Sequence, residues 1–146
     1  MKSLGFTGTR HLTNGSKSAV LEAIGKRLPE FDRFVTGGCN GFDAKMGQYL
    51  YETFPEKLHY VIVPDNKGQV DWWFKGKPGV MIKYMAPGTT YKQRDQAIVD
   101  ASDEVFYCAE YPENDYRSTR SGTWLTKRLA EASHVPVGGI ILHDNS

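Results

Sequence analysis

Short apolar runs and longer amphipathic stretches alternate along the chain. Met1 to Phe6 is a brief apolar run that ends among Gly5, Phe6 and Gly8, and Lys17 to Leu28 then sets Val20, Leu21, Ile24 and Leu28 on one helical stripe. Phe34 and Val35 form a second run that stops at Thr36, Gly37 and Gly38. Phe42, Met46, Leu50 and Phe54 follow at intervals of four. Leu58 to Val63 is β-branched and aromatic throughout and closes at Pro64, which suits a strand covered on both faces. Tyr91 to Ala101 reads as a helix, Glu104 to Cys108 as a strand, Gly122 to Ala132 as a helix with Leu125, Leu129 and Ala132 inward, and Val137 to Leu142 as a final strand.

Five strands alternating with four helices predict a three-layer α/β domain of Rossmann type, with a five-stranded parallel sheet in the order 3-2-1-4-5. Residues 65–90 lack periodicity and hold Trp72, Trp73, Phe74 and Tyr84 among glycines and prolines. They are read as an insertion over the site, whose aromatics either stack on a base or form a small core or subunit contact. With 146 residues and 40% hydrophobic content, residues 1–146 are expected to form a single domain.

In sheets of this type ligands bind beyond the carboxyl ends of the strands, and the candidate chemistry lies there. The first strand ends in Gly8-Thr9-Arg10, where glycine allows close backbone approach and arginine offers a charged fork for phosphate or carboxylate. The second ends in Gly37-Gly38-Cys39-Asn40-Gly41-Phe42-Asp43 at a helix N-terminus, a natural anion site. Asp43 either caps the free amides of that helix or contacts a ribose hydroxyl. Arg94-Asp95 stands on the third helix. Ser121-Gly122-Thr123, preceded by Arg120, opens the fourth helix and makes a second set of free amides.

Lys and Arg total 18 against 17 acidic residues and are scattered, so composition gives no field of one sign for a polyanion, and nucleic acid is not expected as a partner. Cys39 and Cys108 belong to no metal-binding cluster and are expected to be reduced. His11, His59, His134 and His143 lack metal-site spacing and no hydrolytic triad is apparent; only His11 adjoins a candidate loop. Neither metal nor cofactor is expected. The apolar runs are too short for a membrane span or signal peptide, which points to a cytoplasmic protein without a membrane partner.

Taken in order, Gly8-Thr9-Arg10, Gly37-Gly38 with Gly41 and Asp43, Arg94, and Ser121-Gly122-Thr123 resemble the SLOG superfamily of Rossmann-like domains, which includes the LOG phosphoribohydrolases, the Smf/DprA proteins and the YspA-type domains. Asp71-Trp72, Gly76-Lys77, Gly88 and Arg94-Asp95 look like the succession carried by the YspA-type branch. The resemblance implies a nucleotide-like small-molecule ligand held by the glycine loops, Arg10 and Arg94. It also implies homo-oligomerisation, which the aromatics of residues 72–84 favour as well.

Arg94 is the candidate catalytic residue, matching the arginine of LOG enzymes. Their catalytic glutamate, however, corresponds to Thr126, a side chain that cannot act as a carboxylate base. Glu110, Glu113 and Asp115 lie upstream as possible substitutes. The resemblance therefore favours a sensor or sequestering module, with an N-glycosidic hydrolase or transferase acting on nucleoside monophosphates as the alternative and single-stranded DNA binding ranked last.

Overall fold

A computed structural model describes residues 1–11, 14–39, 41–64 and 71–143. Its centre is a parallel sheet of strands β1 (Ser3–Gly8), β2 (Arg33–Gly37), β3 (Leu58–Val63), β4 (Val80–Tyr84), β5 (Glu104–Ala109) and β6 (Val137–Ile141), in the order β4-β3-β2-β1-β5-β6. The helices are α1 (Asn14–Ile24), α2 (Phe42–Thr53), α3 (Tyr91–Asp100) and α4 (Gly122–Ala132). The expected order of five strands is preserved among β3, β2, β1, β5 and β6, but the sheet has six strands, not five.

The additional strand, β4, lies inside the segment read as an insertion and pairs with β3 from His59↔Val80 to Val63↔Tyr84. Sequence reasoning passed over it for two reasons. The β3–β4 crossover contains a 3-10 turn at Asp71–Trp73 where the expected alternation calls for an α-helix. In addition, β4 lies at the sheet edge with Met81, Lys83 and Tyr84 exposed, so it lacks the apolar continuity of a central strand.

The side-chain period of two sorts the strands between two helical layers. Leu4 and Phe6 of β1 and Phe34 of β2 point to the face covered by α1 and α2, joining Val20, Ile24, Phe42, Met46 and Leu50 in the largest core. Val35 and Ile62 point to the opposite face and meet Ile98 of α3, while Val105 meets Val99 and Ala130 of α4. Two of the insertion aromatics, Trp73 and Phe74, form a small core, while Trp72 and Tyr84 stay exposed. Phe74 is buried with Val61 and Val63, Trp73 packs edge-on against Phe74 and Tyr51, and Trp72 stands exposed.

Two glycines that the motif reading assigned to ligand approach are required for packing between the loops. A Cβ on Gly8 would enter the ring of Phe42, the first residue of α2. Gly41, with φ of 83°, has its missing Cβ 2.5 Å from the Arg10 backbone. The Phe42 amide donates to the Thr9 carbonyl at 2.9 Å, so the first amide of α2 is spent on the loop after β1. The β1 and β2 loops are thus locked together by close backbone contact.

Gly8→Ala is expected to destabilise the protein by about 1–3 kcal/mol through overpacking against Phe42. At Gly25 an added Cβ meets nothing within 4 Å, and Gly25→Ala is expected to be neutral or stabilising by up to about 1 kcal/mol. Urea denaturation midpoints of the two variants measure the contrast.

Candidate functional site

A cleft of about 580 Å³ opens at the carboxyl ends of β1 and β5. Its walls come from the loop after β1, the start of α3, the β5–α4 connection and the first two turns of α4. Among the expected site residues, Gly8, Thr9, Arg10, Asp43, Arg94, Asp95, Ser121, Gly122 and Thr123 meet there. Gly37, Gly38 and Gly41 stand behind the wall. A Cβ on Gly37 would collide with the Arg94 guanidinium, and one on Gly38 would come within 2.9 Å of Val63. Asn40 lies outside the described residues. The described part of the insertion, 71–90, lines none of the cleft, contrary to the expectation that this segment covers the site.

The floor of the cleft is a buried charge cluster. Arg94 and Asp95 follow one another on α3, whose start is fixed by a capping box in which Thr90 Oγ1 accepts from the Gln93 amide and the Gln93 side chain accepts from the Thr90 amide. Arg94 Nε donates to Asp95 Oδ1 at 3.0 Å, and Nη1 stands 3.6 Å from Asp43 Oδ2 on α2. All three side chains are at least nine-tenths buried. Nη1 is the one buried side-chain polar atom, among the described residues, without a hydrogen-bond partner. Burial pushes Asp43 up to about 6 despite the pull of Arg94, with Asp95 adding to the rise. Burial likewise raises Asp95, against Arg94 and the neighbouring Thr126 hydroxyl.

The upper walls carry further arginines. Arg10 lies over the Tyr91 ring at 5.5 Å, and Arg117 lies over Tyr111 at 3.7 Å while forming a two-point pair with Asp115. Arg128 reaches Glu113 at 3.1 Å. With Arg94 and Arg120, the cleft lining holds five arginines against the carboxylates of Asp43, Asp95 and Glu110. Ser121 caps α4 by accepting from the Trp124 amide, so the positive end of the α4 dipole faces the same space.

Sequence reasoning left Arg117 and Arg128 out of the site. Arg128 follows Leu125, another lining residue, at a helical interval on α4, a signal that spacing could have provided. Arg117 reaches the cleft from a single 3-10 turn, Tyr116–Ser118, too short to carry a periodic signal. Thr126, which stands at the glutamate position of the LOG pattern, is fully buried and donates its hydroxyl to the Gly122 carbonyl at 2.8 Å. It is absent from the cleft lining.

No protein-family model matches the chain, and no curated protein matches it in sequence. Solved structures do. DNA processing protein A from Helicobacter pylori, reported for its single-stranded DNA binding mode, superposes with a TM-score of 0.62 at 16% identity over 94% of this chain. The chain spans 64% of the length of that protein. TM1055 superposes with a TM-score of 0.60 at 19% identity, covering 94% of this chain and 72% of its own. The fold is Rossmann-like. At these identities the likeness is one of fold alone.

The Rossmann-like frame buries Asp43 deeply enough to give a pH signature. In the folded chain Asp43 retains its proton to about pH 6, whereas its ordinary value is 3.8. Folded protein therefore binds more protons than unfolded protein in that interval, and the Asp43 contribution lowers stability as the pH rises through it. With this titration removed, the stability of Asp43→Asn relative to wild type is expected to rise between about pH 4 and about pH 6 and to stay constant above about pH 7, on top of the pH-independent cost of taking one carboxylate from Arg94. Denaturation midpoints of both proteins across that range provide the measurement; a gain in the opposite direction would show that Arg94 outweighs burial.

Proposed function

We propose that the cleft binds a nucleotide or nucleotide-derived small molecule through its phosphate groups, and that the protein acts as a sensor or sequestering module for that ligand. The observation that carries this reading is that Arg10, Arg94, Arg117, Arg120 and Arg128 line one cleft together with Ser121, Gly122 and Thr123 at the start of α4. Guanidinium forks and free helix amides are complementary to phosphate oxygens, and the volume of the cleft is in the range of small-molecule sites. Arg94 forms the floor and keeps two carboxylates in place, so the outer arginines are the ones available to exchange partners. The burial of Thr126 supports binding over the glycosidic chemistry of the LOG pattern.

Nucleic acid is a second reading, against the expectation from composition. The Helicobacter pylori protein that shares this fold is reported for single-stranded DNA binding, and the charge that composition disperses is gathered here by the fold. A phosphodiester would meet the same arginines as a nucleotide phosphate does.

Thermal shift and calorimetry with nucleoside mono-, di- and triphosphates are expected to show stabilisation, about 2.7 kcal/mol at a hundred times the dissociation constant. Arg120→Ala is expected to weaken phosphorylated ligands by roughly tenfold or more and to leave the bare nucleoside nearly unchanged. No stabilisation by any nucleotide would refute the reading. Oligonucleotide affinity that exceeds nucleotide affinity and falls steeply with salt would transfer the site to the second reading.

A further inference from the structure

One constellation in the cleft is used by neither the phosphate contacts nor the buried floor. The His11 ring places Nδ1 3.0 Å from Glu110 Oε2, and the Thr9 hydroxyl donates to the same oxygen at 3.1 Å. The Thr9 oxygen in turn accepts the His11 backbone amide at 3.1 Å. These three residues come from the ends of the neighbouring strands β1 and β5 and line the cleft together. The His11 side chain is 77% exposed and that of Glu110 27% exposed, so the pair stands at the mouth, where water reaches it.

The geometry fixes a tautomer. The His11 hydrogen bond, followed by that of Thr9, holds the Glu110 carboxyl below its ordinary value, so Glu110 is an ionised acceptor near neutral pH. An ionised carboxylate has no proton to give, and Nδ1 of neutral His11 must therefore be the donor. Nε2 is then left with its lone pair, on a ring held by Glu110, whose carboxylate Thr9 holds in turn. An exposed hydrogen bond of this kind contributes little to stability, whereas an oriented imidazole in a phosphate-binding cleft has the features of a general base.

We infer that the cleft is a hydrolytic site for phosphate esters or anhydrides, in which His11 is the catalytic general base and Glu110 the positioning residue. This inference rests on the nucleotide-binding part of the reading above and puts turnover in place of sensing or sequestration. Arg10 adjoins His11 in the chain, and the outer arginines with the α4 N-terminus hold the phosphate whose charge develops during attack. The oxygen of a water molecule forms a new bond to phosphorus. The bond from phosphorus to its bridging oxygen breaks, with both electrons remaining on that oxygen. The proton of the water passes to His11 Nε2 and from there to the departing oxygen, so the products are inorganic phosphate and the dephosphorylated alcohol or shortened nucleotide. The deeper carboxylates are unsuited to this role because Asp43 and Asp95 are held against Arg94.

The test pairs binding with turnover on the full chain. Nucleoside di- and triphosphates are titrated by calorimetry, and inorganic phosphate release is followed with the same nucleotides and with p-nitrophenyl phosphate. The expected result is phosphate release by wild type that falls about 100-fold or more in His11→Ala while the dissociation constant changes by less than about threefold. Added imidazole should restore part of the lost rate. Glu110→Gln should lower the rate by about tenfold or more, with binding retained. Nucleotide binding without phosphate release by wild type, or an undiminished rate in His11→Ala, overturns the role of the pair. Failure of every nucleotide to bind overturns the reading beneath it.

Discussion

Arg94 is a guanidinium buried between two carboxylates that are far apart in the chain, and the arrangement of the cleft depends on it. Asp43 belongs to α2 and Asp95 to α3, on opposite sides of the sheet, and Arg94 joins them beneath the carboxyl ends of the strands. A buried ion pair of this kind adds little net stability over a well-packed apolar alternative, but removing one partner strands a charge at a cost of about 3–5 kcal/mol. Its structural effect is one of position. Gly37 has no side chain because the guanidinium occupies that space, and Asp43 can approach only because the Gly41 turn brings α2 under the loop after β1.

The cluster also divides the cleft by depth. Below, two carboxylates and one guanidinium are dry, with Asp43 near half-ionisation around pH 6. Above, Arg10 of the loop after β1, Arg117 and Arg120 of the β5–α4 connection and Arg128 of α4 line the cleft, Arg117 paired with Asp115 and Arg128 with Glu113. His11 and Glu110 belong to the upper level, where the imidazole is exposed.

Much of this was legible from local patterns. The intervals of four in Phe42, Met46 and Leu50 identified the buried face of α2, and glycines at the ends of β1 and β2 marked where the chain turns toward the site. Arg94, Asp95 and the Ser121-Gly122-Thr123 turn were legible because helix starts carry their own chemistry: a capping residue, free amides, and side chains one turn inward. The β4 strand was not legible, since an edge strand needs only one covered face and the described residues of the crossover before it hold a 3-10 turn and no α-helix. Neither was the role of the glycines. Gly8 and Gly41 read as places for a ligand to approach, but what approaches them is Phe42 and the Arg10 backbone.

Periodicity by itself determined the layered α/β class, the order of the central strands and the end of the sheet where the loops gather, because apolar spacing of two and of about 3.6 constrains which faces must be buried. Only the tertiary structure decided the electrostatics. A net charge of +1 spread along the chain implied no field of one sign for a polyanion, yet folding gathers five arginines into one cleft, with Asp43, Asp95 and Glu110 in its lining and Asp115 and Glu113 as partners of Arg117 and Arg128. It likewise brought His11 to Glu110 across two strand ends separated by about a hundred residues of chain. Composition sums charge without position, whereas the field in a cleft depends on distance and burial, and these exist only once the strands are paired.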